Sequence, residues 1–189
     1  MRNYHVRQLM GNESASFSPF EERIDAVGKR HPQMPRVLVV RARLLYEVLR
    51  LFSENVEQFY SGHSVSASAW TALVMLHSMP QDRANPSLLS TQLAQSRTHM
   101  TRIADELVGK GLVRRELDPS DRRRVELVLT AEGKQLIRRV LPATWKHFDT
   151  MLGCFDNEEG QVLETLLRKL HAVLSSARQG STDARGSGR

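Results

Sequence analysis

Between Ser87 and Thr130 the spacing of apolar residues changes period once, and that change limits the folds open to the chain. The segment reads SLLSTQLAQSRTHMTRIADELVGKGLVRRELDPSDRRRVELVLT. Leu88, Leu89 and Leu93 mark a short helix. Ser96 then suits an N-cap, because its hydroxyl takes up one of the free N–H groups that open a helix. Met100, Ile103, Ala104, Leu107 and Val108 follow at helical spacing, and Gly111 stops the run. Beyond it, 112–117 and 125–129 read as two short strands. Between them lies Asp118-Pro119-Ser120-Asp121-Arg122-Arg123-Arg124, a turn-forming stretch ending in three cations. A helix-turn-helix followed by a hairpin with a basic tip is a winged helix-turn-helix.

The second helix has two unlike faces. Opposite its apolar stripe stand Arg97, Thr98, Thr101, Arg102 and Asp105, with His99 in the first turn. Two cations and two hydroxyls in the first turn and a half suit a recognition helix, which enters the major groove there. The wing then places an arginine in the neighbouring minor groove, where negative potential concentrates. A formal net charge of +6 favours an anionic partner, nucleic acid before a membrane surface.

The stretches SRTHMTRIADELVGKGLVRRELDPSDRR and LTAEGKQL resemble the MarR family of bacterial winged-helix regulators, and within it the multidrug-efflux repressors. The likeness runs from about 17 to 175 and is densest in the DNA-reading segment. It implies a homodimer on a palindromic operator of double-stranded DNA, acting as a repressor released by small aromatic or phenolic effectors. It also implies that Asp121 orients the wing tip and that Arg123 is the minor-groove residue. Arg122 and Arg124 then grip phosphates, since alternate hairpin residues point opposite ways. Arg114 and Arg115 belong to the same phosphate-contacting rim.

The rest of the chain supplies a helical dimerisation region, so the expected class is mainly α with a small β-hairpin wing. Residues 1–16 form a disordered N-terminal tail; 17–62 are N-terminal dimerisation helices; 63–130 are the winged domain; 131–175 are C-terminal dimerisation helices; 176–189 are a disordered tail without large apolar residues. A long helix over 36–61 carries a wide apolar stripe from Val37 to Phe59, part of which needs cover from a second subunit. Ser66 caps a helix bearing Trp70, Leu73, Val74 and Leu76, and the loop from Pro80 to Pro86 is polar and rich in helix breakers. Thr130 caps a helix that Pro142 should kink. Asp156 and Glu159 form a capping box for the last helix.

Several function classes fall away. No apolar run approaches the ~20 residues that cross a bilayer, and the N-terminus lacks a signal-peptide core, which points to the cytoplasm and no membrane partner. The single cysteine, Cys154, allows no internal disulfide or cysteine-based zinc site. The histidines show no ligand spacing, so no metal or cofactor is expected. There is no GxSxG, phosphate loop or GxGxxG, so no catalytic residue is assigned.

Rival readings remain for particular residues. His99 touches DNA or packs against the preceding helix. Asp105 and Glu106 lie at i+3 and i+4 from Arg102, where they would hold it by ion pairs. Trp70 and His77 lie seven apart on one helical face and line an effector cleft, or Trp70 is core. Cys154 would make the protein a thiol redox sensor, although Asp156, Glu158 and Glu159 disfavour its thiolate. A non-specific DNA-packaging protein is the remaining alternative for the whole chain.

Overall fold

The computed structural model describes residues 17–117, 121 and 124–186, with side chains through 176. Its elements in order are α1 (Ser18–Arg30), α2 (Arg36–Ser61), α3 (Ala67–His77), a 3-10 turn (Pro80–Asp82), β1 (Arg83–Ala84), α4 (Pro86–Gln92), α5 (Arg97–Gly109), β2 (Val113–Leu117), β3 (Val125–Leu129), α6 (Ala131–Leu152) and α7 (Asn157–Gly186). Among the described residues the chain forms two compact units, 17–147 and a second that takes over at Phe148 within α6.

Helices α3, α4, α5 and α6 each start where a side chain satisfies one of the free N–H groups, whereas α1 and α2 start without such a cap. Ser66 Oγ accepts from Ala69 N at 3.1 Å, Asn85 Oδ1 from Ser87 N at 2.7 Å, and Ser96 Oγ from His99 N at 3.1 Å. Thr130 caps α6 by accepting from Gly133 N at 3.0 Å, and its hydroxyl lies 2.9 Å from Leu112 O, to which it donates. Such a cap contributes about 1 kcal/mol. At the far end of α5, Gly111 takes a left-handed φ of 68°. Its N–H and that of Leu112 return to Val108 O and Leu107 O, at 2.9 and 3.0 Å. This six-to-one closure turns the chain into β2, and the left-handed step suits a residue without Cβ.

The strands form one antiparallel sheet in the order β1-β3-β2, with Val113 opposite Leu129, Leu117 opposite Val125 and Arg83 opposite Val128. The hairpin matches the sequence reading; β1 is new. Two residues carry no periodicity, so the sequence reads 80–86 only as a loop. β1 forms because Ala84 is buried and pairs with Leu127, while Gln81 and Asp82 take the left-handed turn that feeds it in. Asp82 is fixed by His77 Nδ1 at 2.7 Å and Lys134 Nζ at 2.6 Å.

One core unites this unit: Leu73 and Leu76 of α3, Leu89 of α4, Met100 and Leu107 of α5, Leu127 of β3, Ile137 and Val140 of α6. Each full burial of this kind stabilises by roughly 1.5–3 kcal/mol. The end of α2 joins it through Tyr60, stacked on Trp70 at 5.3 Å, with Val56 and Phe59 packed alongside. The core thus draws on the segments 17–62, 63–130 and 131–175 alike. Pro142 sits inside α6 without ending it.

In the second unit a short turn joins the end of α6 to α7. The expected capping box is present: Asp156 N donates to Glu159 Oε2 at 3.0 Å, and Glu159 N to Asp156 Oδ1 at 2.9 Å. Helix α7 continues to Gly186, past residue 175 where the sequence predicts a disordered tail. No proline interrupts 176–186, so nothing in those residues forbids the helix. The predicted tail at 1–16 and residues 187–189 lie outside the described residues.

Candidate nucleic-acid interface

Helix α5 divides as its sequence dictates. Met100, Ile103, Ala104 and Leu107 are at most 3% exposed, whereas Arg97, Thr98, Thr101 and Arg102 are exposed along the opposite side. His99 is half-buried, at the edge between the two faces. Arg97 and Arg102 form no ion pair among the described residues, so their charges remain available to an anionic partner. Thr101 Oγ1 donates to Arg97 O at 3.0 Å, which leaves its acceptor lone pairs and methyl group facing outward. Helix α4 packs against α5. The link between them turns at Ala94, φ 52°, and Gln95 N closes it onto Ser90 O at 2.9 Å.

The wing's arginines are less free than the sequence suggests. Arg115 pairs with Asp105 Oδ1 at 2.6 Å and Arg114 with Glu116. Arg83 of β1 joins Glu116 at 2.9 Å and Glu126 at 3.3 Å. The pairs of Arg114 and Arg115 are solvent-screened and contribute only about 0–1 kcal/mol each, those of Arg83 are half-buried, and together they offset the charge of the rim. At the tip, Asp121 lies 3.4 Å from the Arg124 guanidinium, and Arg124 N donates to Asp121 O at 2.8 Å. Asp121 thus closes the turn onto Arg124. Arg122 and Arg123 lie outside the described residues, as do Asp118, Pro119 and Ser120.

One expected arrangement is replaced. Asp105 and Glu106 do not hold Arg102: Asp105 takes Arg115, and Glu106 turns inward to α3. Glu106 Oε1 accepts from Ser66 N at 3.0 Å and Oε2 from Ser66 Oγ at 2.8 Å, while Lys110 Nζ adds a bond at 3.0 Å. Burial raises the Glu106 pKa, but the two Ser66 bonds and Lys110 outweigh it, and the carboxyl titrates below its ordinary range. The partners stand 40 positions apart. No spacing rule in the sequence relates them.

The suggested effector pair is not brought together. Trp70 is 4% exposed in the core, and His77 is on the surface, held by Asp82. A cleft of about 540 Å³ lies elsewhere in the first unit. Glu57, His63, Lys110 and Arg139 supply charged or polar wall, and Val65, Leu112 and Leu136 the apolar wall. Cys154 is a free, exposed thiol. Among the described residues no group of three acidic, histidine or cysteine side chains is placed to hold a metal, and no helix is long and apolar enough to cross a membrane.

Known proteins are similar to this chain in sequence and in fold. The family model described as MarR family matches residues 65–125, from the start of α3 into β3. The transcriptional repressor MprA of Escherichia coli strain K12 is 31% identical over 165 residues, covering 87% of this chain and 94% of the relative. Among solved structures, the MarR family transcriptional regulator AbsC from Streptomyces coelicolor superposes with a TM-score of 0.66 at 26% identity, over 72% of this chain and 93% of its own. Sco3205 from the same organism, a MarR family regulator solved in complex with DNA, shares the fold with a TM-score of 0.64 at 23% identity, over 72% and 85%.

Proposed function

Because the chain belongs to the MarR family of DNA-binding transcriptional regulators, and is no enzyme, we propose that it is a homodimeric repressor of a multidrug-efflux or similar export operon, released from its operator by a small aromatic or phenolic ligand. The observation that carries the reading is the exposed row Arg97, Thr98, Thr101 and Arg102, presented on an N-capped helix that packs beside the β2–β3 hairpin. Arg97 and Arg102 supply bidentate donors for guanine edges or phosphates, and Thr98 and Thr101 supply methyl and hydroxyl contacts. Arg123 enters the minor groove, with Arg122, Arg124 and Arg115 on the backbone.

The dimer follows from uncovered apolar surface. Leu44, Val48 and Leu51 of α2 and Val162, Leu166, Val173 and Leu174 of α7 are all exposed in the single chain. A soluble monomer rarely leaves so many large apolar side chains on two helices uncovered. A second copy related by a two-fold axis covers them and sets the two α5 helices one turn of DNA apart, about 34–36 Å, on a palindrome. A ligand releases the DNA only through a differential affinity for two such spacings. The cleft lined by Arg139, Val65, Leu112 and Leu136 offers a phenolate or carboxylate both charge and an apolar wall.

The test compares a base-reading position with a phosphate-gripping one. Thr101→Ala should reduce binding to a duplex selected from a random pool, while binding to a scrambled duplex of the same composition changes little. Arg124→Ala should weaken both alike and reduce the salt slope by roughly one unit. Equal loss on both duplexes for Thr101→Ala would remove α5 as the reader and favour non-specific packaging.

A further inference from the structure

The first turn of α3 is held by carboxylates from two other helices. Ala67 N donates to Glu57 Oε2 of α2 at 3.0 Å. Ser66 donates through both its N–H and its hydroxyl to Glu106 of α5, at 3.0 and 2.8 Å. Lys110, one turn beyond Glu106, donates to Ser64 O at 2.5 Å and to Glu106 at 3.0 Å. Ser64 itself is held in the left-handed region, φ 65°. Free N–H groups and the helix dipole make this end of α3 attractive to negative charge. What is unusual is where the charges come from. The carboxylates belong to the long helix of the proposed dimer interface and to the helix carrying the exposed arginines.

We propose that Glu106, clamped by Lys110, is the positioning residue of the recognition helix: its bonds to Ser66 set the rotation and advance of α5, and so the register in which Arg97, Thr98, Thr101 and Arg102 meet the groove. The inference rests on α5 being the reading helix. The apolar face of α5 holds the helix against the core, but the hydrophobic effect is itself non-directional and leaves the finer rotation and advance to directional contacts. Charge-assisted hydrogen bonds are short and directional. Side chains reach about 5–6 Å from a helix axis, so a rotation of about 20° moves their tips by about 2 Å, enough to break a base contact. Glu106 fixes that rotation from the half-buried flank of α5, where it does not compete with DNA.

Ser66 already caps α3 through Ala69 N, so stability and position can be separated experimentally. Full-length Glu106→Ala, Glu106→Gln and the double variant Ser66→Asp with Glu106→Ala would be titrated against the selected and the scrambled duplex, with melting followed in parallel and Thr101→Ala as control. An aspartate at 66 keeps the α3 cap and returns a carboxylate to the helix end, but it does not restore the two bonds between Ser66 and Glu106. Expected is a loss of about tenfold or more on the selected duplex for Glu106→Ala, the scale of one groove contact, with the scrambled duplex nearly unaffected. The double variant should recover the melting temperature and not the affinity. Glu106→Gln, which keeps one acceptor oxygen, should fall between wild type and alanine. Recovery of both melting and affinity in the double variant would overturn the proposal, as would an unchanged selected-to-scrambled ratio in all three. Equal effects of Thr101→Ala on the two duplexes would instead remove the reading helix itself, and the proposal with it.

Discussion

Gly133 sits buried in the first turn of α6, a position where helix propensity taken alone favours alanine. Helix propensity alone gives Gly133→Ala a gain of about 0.8–1 kcal/mol. The structure reverses the sign. A Cβ at this position would lie 2.2 Å from Leu112 O and 2.8 Å from Leu129 Cδ1. The leucine tip can turn aside, but the carbonyl belongs to backbone at the mouth of β2. That same oxygen accepts from Thr130 N at 3.1 Å and from the Thr130 hydroxyl at 2.9 Å. Relieving the clash therefore means moving α6 off the sheet or giving up these bonds. Overpacking costs about 1–3 kcal/mol, and each hydrogen bond lost costs about 1 kcal/mol. After the propensity gain, a net destabilisation of about 1–4 kcal/mol remains. Urea and thermal unfolding at fixed protein concentration measure it, at about 2–4 °C for each kcal/mol in a chain of this size. A variant as stable as wild type, or more so, would refute the reasoning, because it would mean that α6 does not approach Leu112 as closely as 2.2 Å demands.

Two further outcomes are expected. Glu106 titrates below its ordinary 4.5 because the Ser66 bonds and Lys110 outweigh burial. A depressed folded value means that its stabilisation is complete above 4.5 and is lost as pH falls through the folded value. The stability difference between wild type and Glu106→Gln should thus shrink on acidification, and a difference that grows in acid would contradict the assignment. Leu166, 58% exposed in the single chain, should lie in the subunit interface, once from each copy. Leu166→Asp should weaken the dimer by about 3–6 kcal/mol, read by sedimentation, and an unaltered dimer at low micromolar concentration would place the interface elsewhere.

Much of the fold could be read from the chain because it depends on local rules. Ser66, Ser96 and Thr130 are caps in the sequence and caps in the structure, and Gly111 ends α5 by the left-handed step that its missing Cβ favours. The hairpin follows from a change of period, and the exposed arginine and threonine row of α5 follows from helical spacing alone. A helix of either sign of surroundings would show that row. The sequence therefore determined which residues share a face of each element, since that depends only on neighbours three or four positions away.

Tertiary structure decided which outward-facing groups stay unpaired. Asp105 and Glu106 satisfy the spacing for an ion pair with Arg102, yet one goes to Arg115 across the sheet edge and the other to Ser66. Trp70 and His77 share a helical face, yet one is sealed against Tyr60 and the other bonded to Asp82. Strand β1 exists only because β3 offers it an edge. In each case a local option competes with a partner far along the chain, and the outcome turns on burial. A half-buried carboxylate gains more from two N–H and O–H donors out of water than from a solvent-screened arginine. Such preferences depend on which segments the fold brings together, and no spacing along the chain encodes them.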